Sequence, residues 1–246
     1  MTTTKSSIKK FKGISVATAA LAFCLIFSSC NKDSTTTPST TLSDDEVATA
    51  VTESVSDSSG GMVTQTQASA TMASTSDLSC GESSDTTING QNISGAIVTY
   101  NYNLQFSRSL VCNNGIPSQF NFNFTGSSSY TAPLMSSNDN SNAQFVITGL
   151  QPTDANWVLN ENYVRNGTQQ SKVNLKRSFS STITVTSSNV TVSKSTEKII
   201  SGTATVQFSG AISGGAGVTR GATVVFLGNG QASLTLDNGN AYTIIW

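Results

Sequence analysis

Histidine is absent from the whole 246-residue chain. With it go the usual general base, the usual zinc ligand and every Ser-His or Cys-His nucleophile pair. Charge is scarce as well: 11% of the residues are Asp, Glu, Lys or Arg, and the formal net charge is -1. No basic field exists to attract nucleic acid, which excludes it as a partner. Long apolar runs are missing too. The best one, Ile14 to Phe27, has about 14 residues, too few to span a bilayer comfortably as a helix. What fills the polar positions instead is Asn, Ser, Thr and Gly. The downstream half carries dense Phe, Tyr, Ile and Val at regular spacing, which argues against disorder throughout.

The short apolar run has a setting. Lys5, Lys9, Lys10 and Lys12 form a basic stretch before it with no acid among them, and Ser28 and Ser29 come after it as small residues. That is the pattern of a secretory signal peptide. Phe27-Ser28-Ser29-Cys30 resembles the lipobox of bacterial lipoproteins, with Phe27 where Leu is usual. The resemblance implies cleavage before Cys30 and diacylation of its thiol. Two or three acyl chains, each contributing about 0.8 kcal/mol per buried CH2, hold a protein stably on a membrane without spanning it. The alternatives are a plain signal peptide with an incidental Cys and an uncleaved anchor.

Of the four cysteines, Cys24 leaves with the signal peptide and Cys30 is the lipidation site. Cys80 and Cys112 remain in an oxidising compartment, where an even pair reads as a disulfide, with two buried thiols as the alternative. Such a bond is worth roughly 3–4 kcal/mol in the chain-entropy account.

Residues 31–41 (NKDSTTTPSTT) read as a polar tether. Asn31-Lys32-Asp33 resembles the short signals that send some lipoproteins to the outer face of the outer membrane, although Ser34 stands where a second acid is usual. Asp33-Ser34-Thr35 and Asp85-Thr86-Thr87 resemble the Asp-Ser/Thr-X acceptor of O-glycans in some bacteria. A helix then begins at Ser43. Glu46 lies three residues on and completes a capping box, Leu42 and Val47 form a hydrophobic staple, and Asp44 and Asp45 suit the positive end of the dipole. Val47, Val51 and Val55 make one apolar stripe. Gly60-Gly61 ends it, and residues 62–74 suggest a second, poorer helix. The stripe is expected to pack against the β domain.

From about residue 93 the period becomes two. Ala96 to Phe106, Phe120 to Phe124, Phe145 to Ile147, Trp157 to Arg165, Thr168 to Val173, Phe179 to Thr186, Val190 to Ser193, Ile200 to Phe208, Ala222 to Leu227, Ala232 to Leu236 and Tyr242 to Trp246 read as short strands. Asn166-Gly167, Ser187-Ser188-Asn189, Gly214-Gly215-Ala216-Gly217, Gly228-Asn229-Gly230 and Asp237-Asn238-Gly239 read as the turns between them. No helix intervenes, so the sheet is antiparallel and largely a meander. The fold class is all-β: a curled sheet, barrel or sandwich with a short N-terminal amphipathic helix. The boundaries are 1–29 signal peptide, 30–42 tether, 43–79 helical and low-complexity segment, and 80–246 β domain. The ending Tyr242-x-Ile244-x-Trp246 also resembles the last strand of outer-membrane barrels, but most of the runs fall short of the roughly 9–11 residues such strands need.

No catalytic or metal site is legible, and no cofactor is implied. The carboxylates Glu82, Asp85, Asp139, Asp154, Glu161, Glu197 and Asp237 are scattered, with most in expected turns. Asn138-Asp139-Asn140-Ser141-Asn142 offers oxygen atoms to calcium but lacks the glycine and terminal Glu of a calcium loop, and reads as a solvated loop. The lipobox, the capped helix, Asp57-Ser58-Ser59-Gly60-Gly61, the Cys80/Cys112 pair and Phe226-Leu227-Gly228-Asn229-Gly230-Gln231-Ala232 together resemble uncharacterised secreted lipoproteins of Gram-negative bacteria. That resemblance implies an outer-membrane location through acyl chains on Cys30, and brings no activity. The expected function is a non-catalytic binding or structural role toward an unidentified envelope or extracellular ligand. The alternative is a half-barrel carrier of an apolar ligand such as a lipid, lined by Tyr100, Tyr102, Phe120, Phe122 and Phe124.

Overall fold

The computed structural model describes residues 40–92, 95–173 and 176–246. The signal peptide, Cys30 and most of the tether lie outside them. Two helices come first, α1 (Asp44–Val55) and α2 (Met62–Ser74), separated by one 3-10 turn (Asp57–Ser59). Ten strands come after them: β1 (Ser83–Gln91), β2 (Thr99–Asn113), β3 (Ile116–Thr131), β4 (Met135–Thr148), β5 (Asn156–Ser171), β6 (Ser178–Ser193), β7 (Ile199–Ile212), β8 (Val218–Gly228), β9 (Gln231–Leu236) and β10 (Ala241–Ile245). Each strand pairs antiparallel with the one before it, so the spatial order equals the chain order. The result is a curled, unclosed meander with β1 and β10 as its edges. The expected fold class stands.

The alternation of side chains explains the packing. Leu104 and Phe106 on β2, Phe120, Phe122 and Phe124 on β3, Phe145 and Ile147 on β4, and Trp157, Leu159 and Tyr163 on β5 all point to one face and are buried. Register brings Phe106 opposite Phe124 with ring centroids 5.2 Å apart, and Phe124 meets Phe145 edge-on at 5.6 Å. Such contacts add about 0.5–1.5 kcal/mol each beyond the area they bury. The helices cover this face. Val47, Val51 and Val55 of α1 and Met62 and Val63 of α2 are fully buried, in the same core as the strand residues. Helices and sheet lie in one compact unit.

The capping box at α1 is present. The Ser43 side chain accepts from Glu46 N–H, and the Glu46 carboxylate accepts from Ser43 N–H at 2.9 Å. The acidic first turn is then fastened to the sheet. Arg177 Nε donates to Glu46 Oε1 at 2.9 Å, Arg220 Nε to Asp44 Oδ1 at 3.0 Å, and the Tyr242 hydroxyl to Asp45 Oδ1 at 3.0 Å. Between the helices each glycine has its own reason. Gly60 has φ +69, and a Cβ on Gly61 would meet the Ser54 carbonyl oxygen at 2.5 Å.

Several expectations are corrected. Asn166-Gly167 is not a turn: it lies inside β5, a continuous 16-residue strand. The turn signal needs positive φ, and pairing with β4 on one side and β6 on the other holds both residues extended instead. Ser187-Ser188-Asn189 likewise lies inside β6, where a bulge absorbs Asn189 at φ 57. Residues 138–142 are the middle of β4, not a loop. Strand β1 was not anticipated. The strands are also longer than expected, with 14 to 16 residues in β2 to β7, so shortness is no argument against a barrel. What distinguishes this sheet is its two separate edges and its polar outer face.

Candidate functional site

The predicted disulfide is formed. Cys80 and Cys112 are joined at 2.08 Å, with Cα atoms 5.4 Å apart. Beside it, Gly81 N–H donates to the Leu110 carbonyl and Leu110 N–H to the Glu82 carbonyl. The bond therefore ties the start of edge strand β1 to the end of β2. Cys30, the lipidation site, is outside the described residues.

The scattered carboxylates turn out to have separate structural employment. Glu82 accepts from Ser79 N–H, Asp154 from Gln151 N–H, Asp237 from Gly221 N–H and Glu197 from the Thr71 hydroxyl. No group of three or more His, Cys, Asp and Glu is placed to hold a metal among the described residues.

Two carboxylates are buried under the helices. Asp139 faces inward from β4, and Arg165 Nε of β5 donates to its Oδ2 at 2.6 Å. Gln169 Nε2 donates to the other oxygen at 3.0 Å, and Ser181 Oγ donates to Gln169 Oε1. The guanidinium lies 4.8 Å from the centre of the Tyr130 ring and donates to the Glu53 carbonyl of α1 at 3.3 Å. Arg165 is 2% exposed and Asp139 5%. Ionised groups this deep persist only when paired, so the network reads as a core fastening for α1. Glu161 is the second case. Its oxygens lie 2.6 Å from Thr66 Oγ1 of α2 and 2.7 Å from Ser187 Oγ of β6. Burial pushes its pKa up to about 7 against the pull of these two hydroxyls.

The accessible surface with a chemistry of its own is the convex outer face. Strand by strand it presents Ser83, Asp85, Thr87, Asn89 and Gln91; Asn101, Asn103, Gln105, Ser107 and Ser109; Asn121, Asn123, Thr125, Ser127 and Ser129; Ser136, Asn138, Asn140, Asn142 and Gln144. It continues with Asn160, Asn162, Asn166 and Thr168, then Ser180, Thr182, Thr184 and Thr186, then Thr203, Thr205, Gln207 and Ser209. Over these seven strands the one ionisable outward residue is Asp85, and none is aromatic. Ordinary protein surfaces carry about a quarter or more charged residues. Register aligns the face into rungs. Asp85, Ser107, Asn123 and Gln144 stand in one row, and Thr87, Gln105, Thr125 and Asn142 in the next. The two rows, with Thr86, Phe106, Phe124 and Ala143 between them, line a shallow depression of about 620 Å³ across β1 to β4. The alternation of Asn and Thr was visible in the sequence; the alignment of rows needed the register.

Comparison with known proteins finds no matching family model, no matching curated protein and no matching solved structure.

Proposed function

We propose that this chain is a lipid-anchored protein of the Gram-negative outer membrane, acylated at Cys30, that binds an envelope or extracellular ligand without chemistry. The observation that carries the reading is the outer face. A neutral amide and hydroxyl surface over seven long strands offers many hydrogen-bonding groups and no charge or aromatic ring beyond the single carboxylate of Asp85. The tether of residues 31–41 would let that face stand off the membrane. The concave face, which a lipid carrier would need, is occupied by α1 and α2, with Val47, Val51, Val55 and Met62 buried there. Tyr100 and Tyr102 stack on each other, and Tyr100 closes over Gly60. This arrangement favours surface binding over the carrier reading.

Native mass spectrometry of the mature protein purified from its own host tests the proposal. Acyl mass on a chain beginning at Cys30, together with a captured glycan or envelope protein, is the expected result. A mature form starting elsewhere would remove the anchor, and stoichiometric co-purifying lipid would overturn the surface reading in favour of the carrier.

A further inference from the structure

Resting on that binding reading, we infer that the ligand of the outer face is a neutral polysaccharide, seated across β1 to β4 on Gln105, Asn123, Asn142 and Gln144. The depression sets this patch apart from the rest of the face. Elsewhere some outward amides are engaged with neighbours: Asn121 donates to the Ser109 hydroxyl at 3.2 Å, Asn101 accepts from Ser129 at 3.3 Å, and Asn166 donates to Thr182 at 3.1 Å. Others, Asn103 and Asn162 among them, have no side-chain hydrogen bond to another described residue but lie outside the depression. In the depression, none of the four amides has a side-chain hydrogen bond to another described residue. Each offers two donors and an acceptor to whatever lies there. Sugar hydroxyls are also donors and acceptors at once, so the two surfaces match in kind.

The composition excludes the other classes of polymer. A protein partner is anchored by aromatic, Arg or aliphatic side chains in desolvated pockets, and the patch has none pointing outward. An anionic polymer, nucleic acid included, needs cations, and the single ionisable group, Asp85, carries the wrong sign. A lipid surface needs apolar or basic groups. A chain of neutral hydroxyls running across the strands would meet a fresh pair of side chains at each strand spacing of about 4.8 Å.

The test is affinity electrophoresis of the full mature chain through gels containing dextran, mannan, xylan or alginate. Retardation by at least one of the three neutral polymers is expected, and it should persist at about 1 M salt, where the Debye length is about 3 Å. The triple variant Gln105→Ala, Asn123→Ala, Asn142→Ala should weaken it by about tenfold or more through lost hydrogen bonds. Lys198→Ala, on the exposed turn between β6 and β7 and off the outer face, should leave it unchanged. The side chains substituted in the triple variant lie on the outer face, away from the core, and an unaltered circular dichroism spectrum and Tm establish that the variant folds. Passage unretarded through all three neutral gels overturns the inference, as does retardation by alginate alone or a triple variant that binds like the parent. Native mass spectrometry of host material separates the two levels. A captured protein without glycan defeats the polysaccharide and keeps surface binding, whereas captured lipid defeats both.

Discussion

Thr66 of α2 sets its hydroxyl oxygen 2.9 Å from the Met62 carbonyl and 2.6 Å from Glu161 Oε1 of β5. The Thr66 hydroxyl donates to the carboxyl group, with the carbonyl of its own helix as the second acceptor in reach, a three-centre arrangement. Helix α2 is thus pinned to the sheet through a buried carboxyl group.

The burial of Glu161 makes stability depend on pH. With a folded pKa of about 7 against an ordinary 4.5, Glu161 adds stability that is fully present below pH 4.5. It is lost as pH rises to about 7, to the extent of roughly 3 kcal/mol. Glu46 acts in another window. Burial would raise its pKa, but hydrogen bonds from Arg177 and Ser43 hold it below the ordinary value, so its contribution is lost only as pH falls below about 4.5. The difference in unfolding free energy between the parent and Glu161→Gln, measured by denaturant titration from pH 4.5 to 7.5, isolates the first group. The parent should fall relative to the variant across that range; parallel curves would contradict the assignment.

Asp139→Asn leaves the Arg165 guanidinium buried without its counter-charge. Breaking a buried pair from one side costs about 3–5 kcal/mol, which for a chain of this size lowers Tm by roughly ten degrees. Adding Arg165→Met should recover much of the loss, because no unpaired charge then remains buried and Gln169 can still donate to the amide oxygen at position 139. A double variant as unstable as the single one would show that the pair does more than compensate charge.

Cys80→Ser should cost roughly 3–4 kcal/mol, read as a Tm drop of several degrees. Hydrogen exchange should quicken first in β1, which pairs with β2 alone. Labelling of both thiols in the native, unreduced protein would rule the bond out.

Ser43→Ala should cost about 1 kcal/mol through the lost cap. Glu46→Ala should cost more, since it removes the carboxylate that accepts from both Ser43 N–H and Arg177 Nε. Equal losses in thermal unfolding would show that the Arg177 contact contributes nothing.

The helices and the disulfide were legible in the sequence because their signals are local. Ser43 and Glu46 sit one turn apart, and the two cysteines are paired by compartment and count. The β class was legible from alternation. The strand limits were not, because Asn, Ser and Gly resemble loop residues wherever the pairing partner is unknown. Asn166-Gly167 is the clearest example. Gly167 stands opposite Asp139, and a Cβ there would meet the Asn138 carbonyl oxygen at 2.1 Å and Asp139 Oδ1 at 2.4 Å. The glycine makes room for the close approach of β4 and its buried carboxylate rather than for a turn. The Asp139–Arg165 pair and the rows of the outer face were hidden for the same reason, since both exist only once register joins separate strands.

The order of the meander bears on how the chain assembles. Every strand after the first finds its partner immediately upstream, so the sheet can grow hairpin by hairpin over short loops. Helix α1 has no such neighbour: Asp44 is fastened to Arg220 and Asn240, 176 and 196 positions away. Closing loops of that length is slow compared with local pairing. The expected sequence of events has α1 settle last although it precedes every strand in the chain, and pulse-labelled hydrogen exchange should show strand amides protected before those of α1. Until then the aromatic face of the sheet stands uncovered, which makes the interval before α1 docks the period of greatest exposure to aggregation.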